Sequence, residues 1–356
     1  MYHVTRPWEN RLFRECRRAW DLSARERQDL EPVVPATVFD FDEAMHDALD
    51  IYYFPGMWDW NRAIVRPLAV RAFGRAMRRQ REAYGAHREL TDAEQQKWQR
   101  HLDEGTALLE RYFGWAAEVD DLTSVQVAAL FDITVPDPTR PEDGLCTADG
   151  QGIWYRVRID LVVTDAHERC WLVEHRIVPE FSDLDVLLLD EQSLTRAWAW
   201  EVGFLGRIEG TIYNELRTGP AAEDAGNLEP VEVRALEGPS GLIKQEHRGG
   251  FRRTHIPRSP GELARRGLDV GGEILEMTRP RLRLYPSPSA SRCPDCAYRA
   301  PCMTMNQDED VAPILQASFR RRTAEDFEPG RLGSVWGFVP EVYRIDEHRG
   351  RRVSGG

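Results

Sequence analysis

A chain of 356 residues can hold one large domain or two small ones with ample core. With 42% apolar and 30% charged residues it has the composition of a soluble globular protein, and no apolar run is long enough to span a bilayer. The net charge of −12 argues against indiscriminate coating of nucleic acid, yet phosphate is read locally and a basic groove remains open to the chain.

The N-terminal Met-Tyr-His-Val-Thr-Arg-Pro-Trp lacks the pattern of a signal peptide, so a cytoplasmic location with no membrane partner is expected. Arginine supplies nearly all the positive charge, since the lysines are Lys97 and Lys244 alone; a catalytic lysine is therefore hard to find. Six cysteines in such a chain are not expected to form a disulfide framework. Cys293, Cys296 and Cys302 cluster late, Cys16 lies early, and Cys146 and Cys170 are isolated and take no assigned role.

In chain order, residues 8 to 28 read as one helix with Leu12, Phe13, Cys16, Ala19 and Trp20 on a stripe, ended by Pro32 and Pro35. Thr37 is the expected cap of a helix to about Tyr53 that carries His46, a residue type that in such a place is more often a satisfied core histidine than a ligand. Two long helical patterns follow, near 60–84 and 91–117. Arg71, Arg75, Arg78 and Arg79 fall near one face of the first, which reads as a solvated face before it reads as a phosphate-tracking stripe. Ser124 to Val135 reads as a strand, and 137–152 and 218–240 as loops. Asp190 can cap a helix to Gly203, Arg207 to Leu216 is a strand, Lys244 to Arg253 is polar and basic, and Pro260 to Met277 is a helix. A last helical pattern covers Ala312 to Arg322.

The stretch from Trp154 to Arg176 organises the rest. It predicts two strands and a tight turn, with Asp160 on the first strand and Glu174 and Arg176 two apart on one face of the second. Ionisable groups on an apolar hairpin are costly to bury without a partner, and a divalent cation between Asp160 and Glu174 would be one. Hard oxygen ligands of this kind suit Mg²⁺ or Mn²⁺ and hydrolysis of a phosphodiester. The spacing Cys293-x2-Cys296-x5-Cys302 suits zinc or an iron–sulfur cluster. Either wants a fourth ligand, and Cys16 is the candidate.

Taken in order, Cys16, His46, the Ile-Asp at Asp160, the Glu-x-basic at Glu174–Arg176, the Asp-Glu-Gln at Gln192 and the late cysteine trio resemble the motif series of the PD-(D/E)XK nuclease superfamily. The likeness is to its RecB/AddB-like iron–sulfur exonucleases, including CRISPR-associated and phage-encoded ones, and spans roughly residues 8 to 305. It implies that His46, Asp160 and Glu174 bind the divalent metal with the backbone carbonyl of His175, and that Gln192 helps hold DNA and the active site. It also implies a [4Fe–4S] cluster on Cys16, Cys293, Cys296 and Cys302 that staples the two ends of the chain. Two positions depart from the pattern. Arg176 stands where the family has its catalytic lysine, and Arg196 stands four after Gln192 where a tyrosine is usual. Arginine stays protonated and is not isosteric with lysine, so Arg176 is able to stabilise charge but not to act as a base.

The expected fold is therefore α/β, a mixed central sheet of the restriction-endonuclease-like kind wrapped by helices. One nuclease-like domain would span 1–310, with a helical part at 1–120, a core at 121–217, and helices and the cysteine cluster at 218–310; 311–356 would be an extension. The expected function is a metal-dependent DNA nuclease acting as an exonuclease on single-stranded ends. Its partners would be DNA (single-stranded or duplex ends) and a helicase or recombination protein. The alternatives are a cleavage-impaired module of the same fold that binds DNA or docks a partner, or the fold turned to another metal-dependent reaction.

Overall fold

The computed structural model describes residues 3–35, 37–219 and 230–322, and the backbone of 343–346 and 351–353. The chain opens with β1 (His3–Thr5), α1 (Pro7–Glu15), α2 (Arg17–Ser23) and β2 (Leu30–Pro32). Helices α3 (Phe41–Tyr52), α4 (Arg62–Gly85) and α5 (Asp92–Val119) follow, with a 3-10 turn at Pro55–Met57. Next come β3 (Thr123–Thr134), β4 (Pro136–Asp137), β5 (Arg140–Gly144), β6 (Ile153–Thr164) and β7 (Cys170–Val178). Helices α6 (Leu184–Leu188) and α7 (Glu191–Phe204) lead to β8 (Ile208–Arg217), β9 (Glu232–Gly238), β10 (Gly241–Arg248) and β11 (Phe251–Pro257). The described chain ends with α8 (Pro260–Met277), α9 (Arg299–Asn306), α10 (Ala312–Ser318), β12 (Phe319–Arg321), β13 (Tyr343–Asp346) and β14 (Arg351–Val353).

One mixed sheet carries the order β14-β13-β3-β6-β7-β8-β11-β10-β9, with β1 added in parallel to the start of β6. The expected hairpin is present: β6 and β7 pair antiparallel from Leu161–Val173 to Thr164–Cys170. Asp165 closes its turn, its carboxylate accepting from the backbone N–H of His167 and of Arg169 and from the Trp171 indole at 3.1 Å. β7 and β8 run parallel, and α6 and α7 make the crossover that parallel strands require.

Helices cover both faces. Val65, Phe73, Leu109 and Phe113 of α4 and α5 pack with Leu161, Val163 and Val173. Ala197 and Trp198 of α7 and Leu263, Val270 and Ile274 of α8 pack with Val157, Ile159 and Leu172. Ile159 and Leu161 thus face opposite cores although a regular strand would put them on one side. Val127 and Ala129 of β3 divide in the same way. The change of side falls at Asp160 and the facing Ala128, whose φ of 47° puts it in the left-handed region. Such a residue costs of order 1–2 kcal/mol, held here by the strands on either side.

Several boundaries differ from the sequence reading. The helix expected over 8–28 breaks at Cys16, whose backbone is extended (φ −162°, ψ 105°), into α1 and α2. Asp40 rather than Thr37 caps α3, accepting from Glu43 N–H at 3.0 Å. Residues 137–152 contain β4 and β5, and the loop expected at 218–240 contains β9, with 220–229 outside the described residues. Polar β9 and β10 escaped notice because their outward faces give no apolar alternation. The helix expected over 312–322 stops at Ser318, and β12 pairs with β2. Most of the expected 311–356 extension from residue 323 onward lies outside the described residues.

Gly210 shows how closely the sheet centre is packed. A Cβ there would meet the Ile256 carbonyl oxygen of β11 at 2.1 Å. Gly210→Ala should cost about 1–3 kcal/mol or more, read as a lower midpoint in urea unfolding followed by circular dichroism.

Candidate functional site

β6 and β7 stop pairing at Leu161–Val173, and the next residue along each strand away from the turn is Asp160 and Glu174. The two acids thus stand at a fork where the strands part. Both are buried, 3% and 4% exposed, as is His46 at 4%. Helix α3 brings His46 to the fork: its Nδ1 lies 2.9 Å from the Asp42 carbonyl oxygen and its Nε2 lies 3.2 Å from Asp160 Oδ2. His46 therefore contacts Asp160 directly, while Glu174 is linked to Asp160 through Arg196.

Glu174 is ion-paired with Arg196 of α7, and the same Nη1 lies 3.9 Å from Asp160 Oδ2. Burial pushes the Glu174 carboxyl up to about 8, Arg196 opposing the rise and Asp160 adding to it. Glu174 Oε1 is buried and has no hydrogen-bond partner. With the Gln192 amide oriented to satisfy its neighbours, its carbonyl oxygen accepts from Arg196 Nη1 and Nη2 at 3.3 and 2.9 Å. Gln192 therefore steers Arg196 directly.

Arg176 shares the strand face of Glu174 but is turned elsewhere. It pairs with Asp190, the cap of α7, and lies 4.7 Å from the centre of the Tyr213 ring. His175 faces the opposite core, stacked 5.5 Å from Tyr53 with Nδ1 2.9 Å from Asn214 Nδ2. Asn214 also donates to Tyr112 at 2.9 Å, and Tyr112 to Tyr53 is 2.6 Å. These contacts fix the strand segment whose carbonyl was expected to reach the metal.

A cleft of about 890 Å³ meets the site at Gln192 and Arg196. Arg6, Arg11, Arg14, Arg156, Arg158, Arg196 and Arg266 line it, beside Asp42, Asp190 and Gln192. Arg156 and Arg158 alternate with Asp160 along β6, so strand periodicity alone aims them near it. Arg156 is anchored on Asp132 by two bonds of 2.7 and 2.9 Å, and Arg158 lies 3.9 Å from Asp50. The sequence reading missed this arginine set because it is assembled from α1, β6, α7 and α8. The alternation of Arg156, Arg158 and Asp160 was its one local signal. The stripe on α4 stays mainly a surface face: Arg71, Arg75 and Arg78 are exposed, and Arg79 pairs with Asp47 at 2.9 Å.

The cysteines gather at the other end of α1. The break at Cys16 turns its residue out between α1 and α2, against the same small core as Cys296. Burial raises the Cys296 thiol, and Cys16, Cys293 and Cys302 are close enough to add to that rise. Arg18 Nη1 lies 3.2 Å from the Cys302 carbonyl oxygen and 3.7 Å from its sulfur, and the Ser289 N–H lies 3.3 Å from the Cys293 sulfur. Tyr298, stacked on Phe319, donates to the Leu30 carbonyl at 2.6 Å. Among the described residues, no group of three or more His, Cys, Asp or Glu side chains stands so that it could hold a metal ion. The donors themselves fit the two groups in question: four neighbouring thiols suit a soft metal or cluster, and an orphaned carboxylate oxygen beside a second acid and an imidazole suits a hard divalent ion.

No protein-family model and no curated protein matches this chain. No helix among the described residues is long and apolar enough to cross a membrane.

Behind the cleft, the buried face of α1 carries its own titration. Glu9 of α1 pairs with Arg6 at 3.3 Å and accepts from Arg25 N–H at 3.3 Å. Burial raises its carboxyl to about 7, Arg6 opposing only in part. The folded chain therefore keeps a proton that the unfolded chain releases near 4.5, and stability falls as pH rises from there through 7. Glu9→Gln should remove that slope, at most about 3 kcal/mol, measured by urea unfolding across that range.

Proposed function

We propose that this protein is a metal-dependent DNA nuclease on a PD-(D/E)XK core, an exonuclease acting on single-stranded ends, with a structural [4Fe–4S] cluster on Cys16, Cys293, Cys296 and Cys302. The observation that carries the reading is the placement of Asp160 and Glu174 at the β6–β7 fork, with His46 against Asp160 and with Arg196 between the two acids and an arginine-lined cleft. His46, Asp160 and Glu174, with the His175 carbonyl, would hold Mg²⁺ or Mn²⁺. The bound ion would supply Lewis-acid chemistry at a phosphodiester.

The chain's own groups do the rest. Arg158, Arg14 and Arg266 offer guanidinium groups to successive phosphates, a fit that arginine's planar fork favours. Their positive charge stands against an overall excess of acid, so binding is local to the cleft and weakens with salt. Arg176 adds a fixed positive charge near Glu174 without contacting it. Purified protein should degrade end-labelled single-stranded DNA with Mn²⁺, and Asp160→Ala and Glu174→Ala should each abolish this on a gel. Cleavage that survives both substitutions places the chemistry elsewhere.

A second reading has a specific observation behind it. Arg176 is tied to Asp190 rather than aimed at the acids, as expected of a cleavage-impaired DNA-binding module. The same gel assay separates the two: a silent parent that gains activity as Arg176→Lys supports the second reading.

The cluster has its own readout. Anaerobically purified protein should be brown, with iron and sulfide in cluster proportion, and Cys16→Ala should lose both. A colourless protein holding one zinc would replace the cluster with a zinc site.

A further inference from the structure

Of the two arginines that depart from the motif series, Arg196 is the one that touches the acids. Its guanidinium lies between the two acids, and Gln192 holds it from the other side. It is mostly buried, yet it also lines the cleft, so one side chain touches both the carboxylates and the space that a substrate would enter. Burying a guanidinium beside two acids satisfies their charge without any metal. The same Nη1 pairs with Glu174 Oε2 and lies 3.9 Å from Asp160 Oδ2, so its positive charge stands beside the orphaned Oε1 where a divalent ion would bind.

We propose that Arg196 is a substrate-responsive positioning residue: an internal cation that occupies the acid pair until a phosphodiester in the cleft takes its guanidinium and leaves the acids to a divalent ion. The inference rests on the nuclease reading and adds to it an order of events, substrate before metal. The chemistry is an exchange of ion pairs in which no bond is made or broken. A phosphate offers the guanidinium a bidentate partner in place of a carboxylate and a glutamine carbonyl. The acids, then short of one positive charge, hold a cation more tightly. Binding of the two ligands is thereby coupled, and the coupling runs both ways.

Around Arg196 the cleft has the parts this exchange needs. Asp190 and Arg176 satisfy each other, so Arg176 does not fill the place that Arg196 leaves. Arg14 and Arg266 share Glu191 and Glu273 along the adjacent wall. Arg14 and Arg266 thus reach the cleft beside Arg196 as guanidinium groups already balanced by carboxylates, ion pairs that an arriving phosphate could exchange in the same way.

The test measures Mn²⁺ binding by electron paramagnetic resonance, not cleavage. The full-length protein is titrated with Mn²⁺ alone, with a single-stranded oligodeoxynucleotide, and with an uncharged methylphosphonate oligomer of the same sequence. Asp160→Ala serves as the blank for Mn²⁺ held by the oligonucleotide itself. The parent should bind Mn²⁺ weakly alone and about tenfold or more tightly with the charged oligomer only. Arg196→Gln should bind tightly without any oligomer and lose the dependence. Gln192→Ala removes one anchor of the guanidinium without changing charge. It should tighten Mn²⁺ binding in the absence of oligomer, which keeps the test open if Arg196→Gln fails to fold. A parent that binds Mn²⁺ equally with and without the charged oligomer, and as tightly as Arg196→Gln, overturns the exchange and leaves the metal site standing. Signal no greater than the Asp160→Ala blank in every protein and condition overturns the metal site, and the exchange with it.

Discussion

Two carboxylates buried within one fork of a sheet cannot both stay charged without a cation, and this constraint shapes the centre of the molecule. At an effective dielectric constant near 20, two unit charges about 4 Å apart interact by about 4 kcal/mol. Asp160 and Glu174 meet that demand in three ways at once. Arg196 lies between them, burial raises Glu174 so that a proton is readily held, and the His46 ring sits beside Asp160. Each solution recruits a different element: α7 for the guanidinium and α3 for the imidazole. The fork holds these two helices, on opposite faces of the sheet, to one point.

The strands bend to make the fork. Ala128 and Asp160 mark the step where both β3 and β6 exchange the faces they present to the two cores. A regular β6 would keep Ile159 and Leu161 on one side and bury Asp160 wholly against the other. The left-handed backbone at Ala128 instead leaves the acid at the boundary, within reach of His46 of α3 and of Arg196 of α7. Local strain at a site of this kind persists only where neighbours over-determine it, and here the strand pairs on either side continue in register.

Much of this was legible in the sequence, for physical reasons that differ by residue. The hairpin at 154–176 was visible because apolar alternation and a turn mark it. The α5 and α8 helices were visible because amphipathic runs follow Thr91 and Ser259, both of which form capping boxes. The gathering of Cys16 with three cysteines far along the chain came from the order of motifs, since no local rule connects them. What stayed hidden was direction. Periodicity places Glu174 and Arg176 on one face, yet the capping carboxylate of Asp190 draws Arg176 aside, and no pattern within β7 announces that. The break at Cys16 was hidden because both flanking segments are good helix formers; the contacts that hold the turn come from far along the chain, among them those of Arg18 with the Tyr285 and Cys302 carbonyl oxygens.

The two arginines that depart from the nuclease pattern are best understood together. In the pattern that the sequence resembles, the β7 position carries the lysine and the α7 position a tyrosine. Here the β7 cation is withdrawn to Asp190, and a cation arrives from α7 instead. The number of positive charges near the acids is thus kept while their origin shifts from a strand to a helix. A lysine at 176 would end in a compact ammonium near the acids. An arginine there is long enough to reach Asp190 and flat enough to lie on Tyr213, which are more favourable partners than a pocket already filled by Arg196. The two arginines are complementary: Arg196 supplies the cation beside the acids, and Asp190 holds Arg176 away from them.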